Sequence, residues 1–430
     1  MNKRTFILAF AALVAGPALA ADPATINWSK IPVVKIPLFY PGQSSYEWLR
    51  SDAHKGAVKE VMRGDACLSC HDEEDAEKDI GEKLVKGGAL EPTPVKGKNG
   101  FVELSVQAAY DDKNAYFRYQ WKTHGKAGIE YPYYRYDGKE WKVYGGPRLD
   151  KAVQEGKQPP IYEDRLSMML DDGKVAGFAE QGCWLTCHDG ERDLKTAAKE
   201  EVAANEAMKA YKKDDVRKYL PDSRTNPSDW KTGKPVEEIA KIKAAGGFVD
   251  LIQWRAHRSN PVGMADDGYV LEWRNFDSGK KMFDSNLDKE TKQPKFMYDA
   301  KKFGAKAMSA KQAGKKESFL IKGVNAVPFD PKAGWKEGDM LPRYVLTKDV
   351  EGSAGDNKAT GSWKKGMWTV VLTRPLGLAN GDDKALKDGG VYHVGFAVHD
   401  DNITTRGHQV SFVRTLGLGT KADIQAVRLP

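Results

Sequence analysis

Cysteine followed by histidine at fixed spacing is the chemistry this chain displays most plainly. Cys67-Leu-Ser-Cys70-His71 reads C-x-x-C-H, and Cys183-Trp-Leu-Thr-Cys187-His188 reads C-x-x-x-C-H, the same device with one more residue between the thiols. Together they use all four cysteines of the 430-residue chain. Two thiols so placed can add across the vinyl groups of a haem, and the next histidine can swing under the ring to ligate iron. The rival use of these residues is zinc, which needs four Cys/His ligands clustered by spacing; here each motif ends in an immediately adjacent histidine. The reading is two covalently bound haem c groups. Cys67, Cys70, Cys183 and Cys187 are the attachment points, and His71 and His188 the proximal iron ligands.

Each iron has a second axial position, and six histidines remain to fill it. His54 precedes the first motif on what reads as a helix. His408 shares strand phase with Val410 and Phe412, which aims its ring at the apolar interior. His399 shares phase with Gly395 and Ala397, small residues that let a flat macrocycle approach. His54 and His408 are therefore the expected distal ligands, with His399 the alternative. His124, His257 and His393 have weaker cases. Met168, Met169 and Met264 compete as thioether donors, and such a ligand would raise the potential relative to histidine. Arg255, Arg258 and Arg374, in or beside apolar strands, are candidates to pair with haem propionates, although ordinary ion pairs explain them as well.

The elements that must position these residues are mostly strands. Val102, Leu104, Val106 and Ala108 alternate with polar residues, as do Phe117, Tyr119 and Trp121, and Asp111 to Asn114 is turn material between them. Further strands are predicted at Leu166 to Leu170, Phe248 to Arg255, Tyr269 to Trp273 and Phe319 to Val324. The last are Trp368 to Leu372, Tyr392 to Val398, His408 to Phe412 and Ile424 to Val427. Helices are predicted from Tyr46 towards Met62, over Asp72 to Val85, and over Asp193 to Leu220, the last exposed and stopped by Pro221. The fold class is mainly β, a β-sandwich haem-binding domain over 98–430. Helical haem-carrying segments lie before it (21–97) and within it (about 176–245).

The first twenty residues read as a secretory signal: Lys3 and Arg4, an apolar run from Phe6 to Val14, then Ala18-Leu19-Ala20. That run is too short to span a bilayer, and no later stretch reaches the length of a membrane helix. Export with all thiols committed to haem points to the bacterial periplasm. The net charge of +7 falls to about +5 without Lys3 and Arg4. Aromatic residues in strand alternation rather than among clustered basics argue against nucleic acid. Lys301, Lys302, Lys306, Lys311, Lys315 and Lys316 form either a solvated loop or a docking edge for an acidic redox partner. Asp266-Asp267, Asp382-Asp383 and Asp400-Asp401 read as turn carboxylates. No Ser-His-Asp order, phosphate loop or H-E-x-x-H helix is present.

Several segments also carry a likeness. They are Val106-Gln107-Ala108-Ala109-Tyr110-Asp111-Asp112 with Ala115-Tyr116-Phe117-Arg118, Glu163-Asp164-Arg165-Leu166, and Trp254-Arg255-Ala256 with Asn260-Pro261-Val262-Gly263. Thr373-Arg374-Pro375-Leu376 and Tyr392-His393-Val394-Gly395-Phe396-Ala397 complete the set. From about residue 98 to the end the chain resembles the haem-binding subunit of ethylbenzene dehydrogenase and its relatives, which include the small haem subunits of dimethylsulfide dehydrogenase and of selenate and chlorate reductases. The resemblance implies a β-sandwich that holds haem against one sheet and exchanges electrons with a molybdenum enzyme. Those subunits hold a non-covalent b-type haem through methionine and lysine, whereas this chain has two thiol motifs. It is more similar to the longer c-type branch, secreted dihaem cytochromes of anaerobic respiratory chains. In the strand where the small subunits carry the lysine ligand, this chain offers His408.

The leading expectation is electron transfer without a substrate, between redox partners such as a molybdenum enzyme or a quinol-oxidising cytochrome. The alternatives are a haem enzyme with an open axial position, acting on a small sulfur or nitrogen species or peroxide, and a haem-based sensor.

Overall fold

A computed structural model describes residues 21–430 except 149, 193, 277, 314–317, 378–379 and 401–406. The signal read at 1–20, and Lys315, Lys316 and Asp401, lie outside the described residues.

Alternation makes Phe101–Tyr110 and Asn114–Lys122 a hairpin, with Val106 opposite Tyr119 and Ala108 opposite Phe117 on its inner face. The turn is set by Asp111, whose Oδ1 accepts the backbone N–H groups of Lys113 and Asn114. Met367–Pro375 and then Lys358–Lys364 extend the sheet on one side, and Val34–Phe39 on the other. Pairing continues through His408–Val410 to Val391–His399, Arg165–Asp171, Val249–Arg255 and the short Gly268–Val270 and Arg274–Phe276. Arg414–Leu418 pairs with Val391–His399 and runs parallel to Ile424–Arg428, which in turn pairs with Phe101–Tyr110. Six of the thirteen strands of this sheet thus close on themselves as a barrel, with three extra strands on one side and four on the other. The mainly-β class expected from the sequence holds, and closure is what the word sandwich left out.

The core fills the space between the two halves of this sheet. Trp254 meets Trp368 edge-on at 4.9 Å between centroids and Trp121 at 6.0 Å, while Tyr119 meets Phe396 at 6.0 Å. Trp254 Nε1 donates to Asn260 and Trp368 Nε1 to Asp164, so these buried indoles keep a partner. A Cβ on Gly361 would stand 2.4 Å from the Trp254 ring, which is why that strand position takes glycine. Leu166, Met168 and Leu170 face this core, with Val394, Phe396 and Val398 beside them. The alternate residues of the same strands face away from it, under the segment that carries the second cysteine motif. Strands covered on both faces lose the apolar–polar alternation of a surface strand.

Several helical expectations are corrected. The run from Tyr46 to Met62 is two short helices, Tyr46–Leu49, capped by Ser45, and Val58–Arg63. His54 lies in the turns between them, which Gly56 enters at φ +79°. The stretch to Leu220 is not one continuous helix, and only part of it is exposed. It holds Lys199–Ala204 and Glu206–Ala210, broken at Asn205, whose side chain caps the second helix. Val202, Met208, Val216 and Tyr219 are buried. Phe319 to Val324 is not a strand either: Asn325 Oδ1 accepts the Ile321 N–H and its Nδ2 donates to the Phe319 carbonyl. Among the described residues no helix is long and apolar enough to cross a membrane.

Candidate functional site

The first motif sits on a single tight turn, Cys67–Ser69, with Cys67 half-buried and Cys70 exposed. His71 stacks on Phe412 at 5.6 Å. His54 is a second neighbour, with ring planes 13° apart and centroids 6.4 Å apart. His54 Nδ1 donates to the Leu49 carbonyl at 3.1 Å, which leaves Nε2 as the lone-pair nitrogen. Burial, reinforced by the neighbouring His54, pushes the His71 pKa down and favours the neutral ring that binds metal. The candidate distal residue His54 thus lies beside the proximal candidate His71.

The second motif forms the turn Gly182–Thr186, buried throughout, with the Trp184 indole N–H donated to Ser44 Oγ at 2.9 Å. Cys183 and Cys187 look onto a cavity of about 530 Å³ whose floor is the outward face of the sheet. Three rows of that floor follow from the register. Gly395, Met169 and Leu251 form an apolar row beside Cys183; Ala397, Ser167 and Gln253 form the next; His408, His399, Arg165 and Arg255 form a basic one. A Cβ on Gly395 would lie 3.0 Å from Cys183 Sγ, so glycine there gives the sulfur room for another bond. His399 and His408 are direct cross-strand partners with rings 5.2 Å apart. Burial, with Lys218 and Lys98 nearby, pushes the His408 pKa down to about 3, and His399 is pushed down as well, first by burial. Burial raises the Cys183 thiol to about 12, which keeps it protonated. Lys218 also faces this space, its Nζ 2.7 Å from Cys187 Sγ.

His188 is packed behind the motif rather than in the cavity wall. It stacks on Tyr219 at 3.8 Å and meets Tyr46 at 4.7 Å. Its Nδ1 donates to Glu47 Oε1 at 2.8 Å, and Glu47 Oε2 accepts the Asp189 N–H. Nε2 stands 3.2 Å from the Leu185 carbonyl. Burial depresses the His188 pKa against the opposing pull of Glu47, which favours a neutral ring. With Nδ1 carrying the proton, Nε2 bears a lone pair, and a carbonyl has no proton to offer it. Among the described residues no donor meets this nitrogen.

The two motifs share one apolar cluster. Phe412 stacks on His71 at 5.6 Å and meets Trp184 at a tilt at 5.4 Å, and Phe39 packs against both Phe412 and Trp184. Cys67 and Leu68 border the same cluster.

The other candidates lie elsewhere. His124 sits at the end of its strand, where its N–H donates to Asp400, and His257 is buried against Phe319. His393 faces Asp171 across its strand pair. Met168 accepts from Tyr119 inside the core and Met264 lies near Lys358, whereas Met169 lines the cavity. Arg255 is held by Asp266, Arg258 by Glu163 and Arg374 by Asp250, so all three have protein carboxylates. Asp266 and Asp400 are accordingly bonded groups, and Asp267, Asp382 and Asp383 are buried rather than solvated turn residues. Lys306 reaches the Gly334 carbonyl, away from both motifs. Sequence reasoning passed over Glu47, Phe412 as a neighbour of His71, Lys218 and Arg165. Only Arg165 left a signal, since it shares strand phase with Ser167 and Met169.

Fold and site define a class: a closed β sheet whose outer face and covering turns bring paired cysteines and histidines together. The chain belongs to the ethylbenzene dehydrogenase family, whose model it matches over residues 25–411. It is 26% identical to cytochrome c-552 of Stutzerimonas stutzeri over 412 residues, which cover 96% of this chain and 93% of that protein. It is also 26% identical to cytochrome c-551 of Rhodocyclus tenuis over 223 residues, 51% of this chain and 73% of that one.

Proposed function

We propose that this chain is a periplasmic dihaem c-type cytochrome that carries electrons in an anaerobic respiratory chain, to or from a molybdenum oxidoreductase. One observation carries the reading: each cysteine motif is met by an imidazole from outside the motif. His54 lies beside His71 at the first, and His408 shares the cavity of Cys183 and Cys187 at the second. The relatives named cytochromes and the family support it, and the family makes a molybdenum partner the leading candidate. The leader read in the sequence supports export.

The donor set fits haem at both places. Haem, when bound, supplies a one-electron iron couple. Cys67, Cys70, Cys183 and Cys187 would tether it. His71 with His54, and His188 with His408, would fill the axial positions, and Glu47 would hold His188 in the tautomer that presents Nε2. The space left open beside Cys183 by Gly395 suits a thioether. Axial positions filled from both sides leave no place for a small substrate, which favours electron transfer over catalysis. The test is the reduced spectrum of the purified protein with carbon monoxide. An unchanged Soret band supports the reading, and a shifted one supports an enzyme with open iron.

A further inference from the structure

We infer that Arg165 and His399 form the seat for a propionate carboxylate of the haem carried on Cys183 and Cys187. This rests on the dihaem reading and adds a role to each residue: His399 serves the carboxylate, which leaves the distal iron position to His408.

Arg165 is 9% exposed and lines the cavity. Its guanidinium lies over the Tyr162 ring at 4.3 Å. Among the described residues its one carboxylate contact is Glu163 at 3.4 Å. Glu163 is already committed, accepting Arg258 Nε at 2.6 Å and the backbone N–H groups of His257 and Arg258 at 2.8 Å each. Arg165 Nε is buried with no hydrogen-bond partner. An arginine can neither shed its charge nor leave a buried N–H unmet without cost. The neighbouring arginines differ, since Arg255 has Asp266 and Gln253, and Arg192 and Arg217 share Asp215.

His399 is the cross-strand partner of Arg165, and its Nδ1 is also buried with no partner. Directly paired residues have Cα atoms about 4.5 to 5.5 Å apart, so one carboxylate can reach both side chains. The floor runs from the apolar row at Cys183 to the basic row four residues along each strand, about 13 Å away. A haem has its thioether-forming vinyl groups on one edge and its carboxylates on the opposite one. The polarity of the floor matches that order.

The test uses purified holoprotein, with intact mass read first on the wild type; absence of haem there overturns the dihaem reading and this inference with it. With haem present, Arg165→Gln removes the cation from beside the carboxylate and so disfavours the ferrous state. The expected result is a lower midpoint for one haem only, with its ferrous-to-ferric ratio at fixed potential falling about tenfold, or about 59 mV for one electron. Arg165→Lys retains most of the wild-type value. His399→Phe leaves both haems low-spin. Unchanged midpoints in Arg165→Gln, or a high-spin haem in His399→Phe, overturn the inference while leaving the dihaem reading intact. If Arg165→Gln yields no holoprotein, His399→Phe still decides it. Two low-spin haems in His399→Phe support the seat, and a high-spin haem overturns it.

Discussion

His54 and His71 lie side by side with ring planes 13° apart and centroids 6.4 Å apart. His54 is fixed there by its Nδ1 bond to the Leu49 carbonyl and by Trp48 at 4.9 Å. Replacing His54 with Ala should therefore turn one haem high-spin and open it to carbon monoxide, without loss of covalent haem. Electronic and electron paramagnetic resonance spectra check this. Two low-spin haems in the variant would remove His54 from the ligand set.

At the second motif, His408→Ala should leave the other iron five-coordinate. The neutral ring that burial enforces, with a pKa of about 3, keeps its nitrogen available at any physiological pH. A shifted Soret band with carbon monoxide in the variant, absent in the wild type, is the expected result.

Glu47 holds the His188 Nδ1 proton at 2.8 Å, and a carboxylate there makes the opposite nitrogen a stronger donor. Glu47→Gln should raise the midpoint of the second haem, because a weaker donor stabilises the ferric state less. A shift on the order of 60 mV corresponds to a tenfold change in equilibrium. Redox titration of the variant with both haems attached measures it.

Gly395 approaches Cys183 Sγ so closely that a leucine in its place should block the bond to that sulfur. Gly395→Leu should accumulate chains with one haem fewer by mass, with the first motif loaded normally.

His257 tests the fold apart from any iron. Burial pushes its pKa down to about 4, below the ordinary histidine value that the unfolded chain would show. The unfolded state then binds the proton first, so the stabilisation is complete above about pH 6.5 and is lost as pH falls from there to about 4. The loss amounts to roughly 3 kcal/mol. In His257→Asn, denaturant unfolding between pH 7 and 4 should lose about one proton's worth of pH dependence.

The strands were legible because their alternation is strong: Val102 to Ala108 and Phe117 to Trp121 could face only one way. Closure was not, because Arg414–Leu418 is short and contains Gly417, and nothing local says that it will bridge two distant strands. The long helices failed where a side chain competes with the backbone, as Asn205 does, or where buried residues such as Tyr219 serve tertiary packing instead of one amphipathic face. Of the site, the two cysteine motifs with their adjacent histidines and the phase of His399 with Gly395 and Ala397 could be read from spacing alone, whereas the case for His54 rests on a helix that the structure replaces with turns. Glu47 and Arg165 could not be given roles, because their partners lie more than a hundred residues away, at His188 and His399.

The most direct test is the intact mass of the purified mature protein together with its pyridine haemochrome spectrum. The account predicts a polypeptide heavier by two haem groups and an absorbance matching two thioether-bound haems per chain. A mass equal to that of the amino acids alone would contradict it.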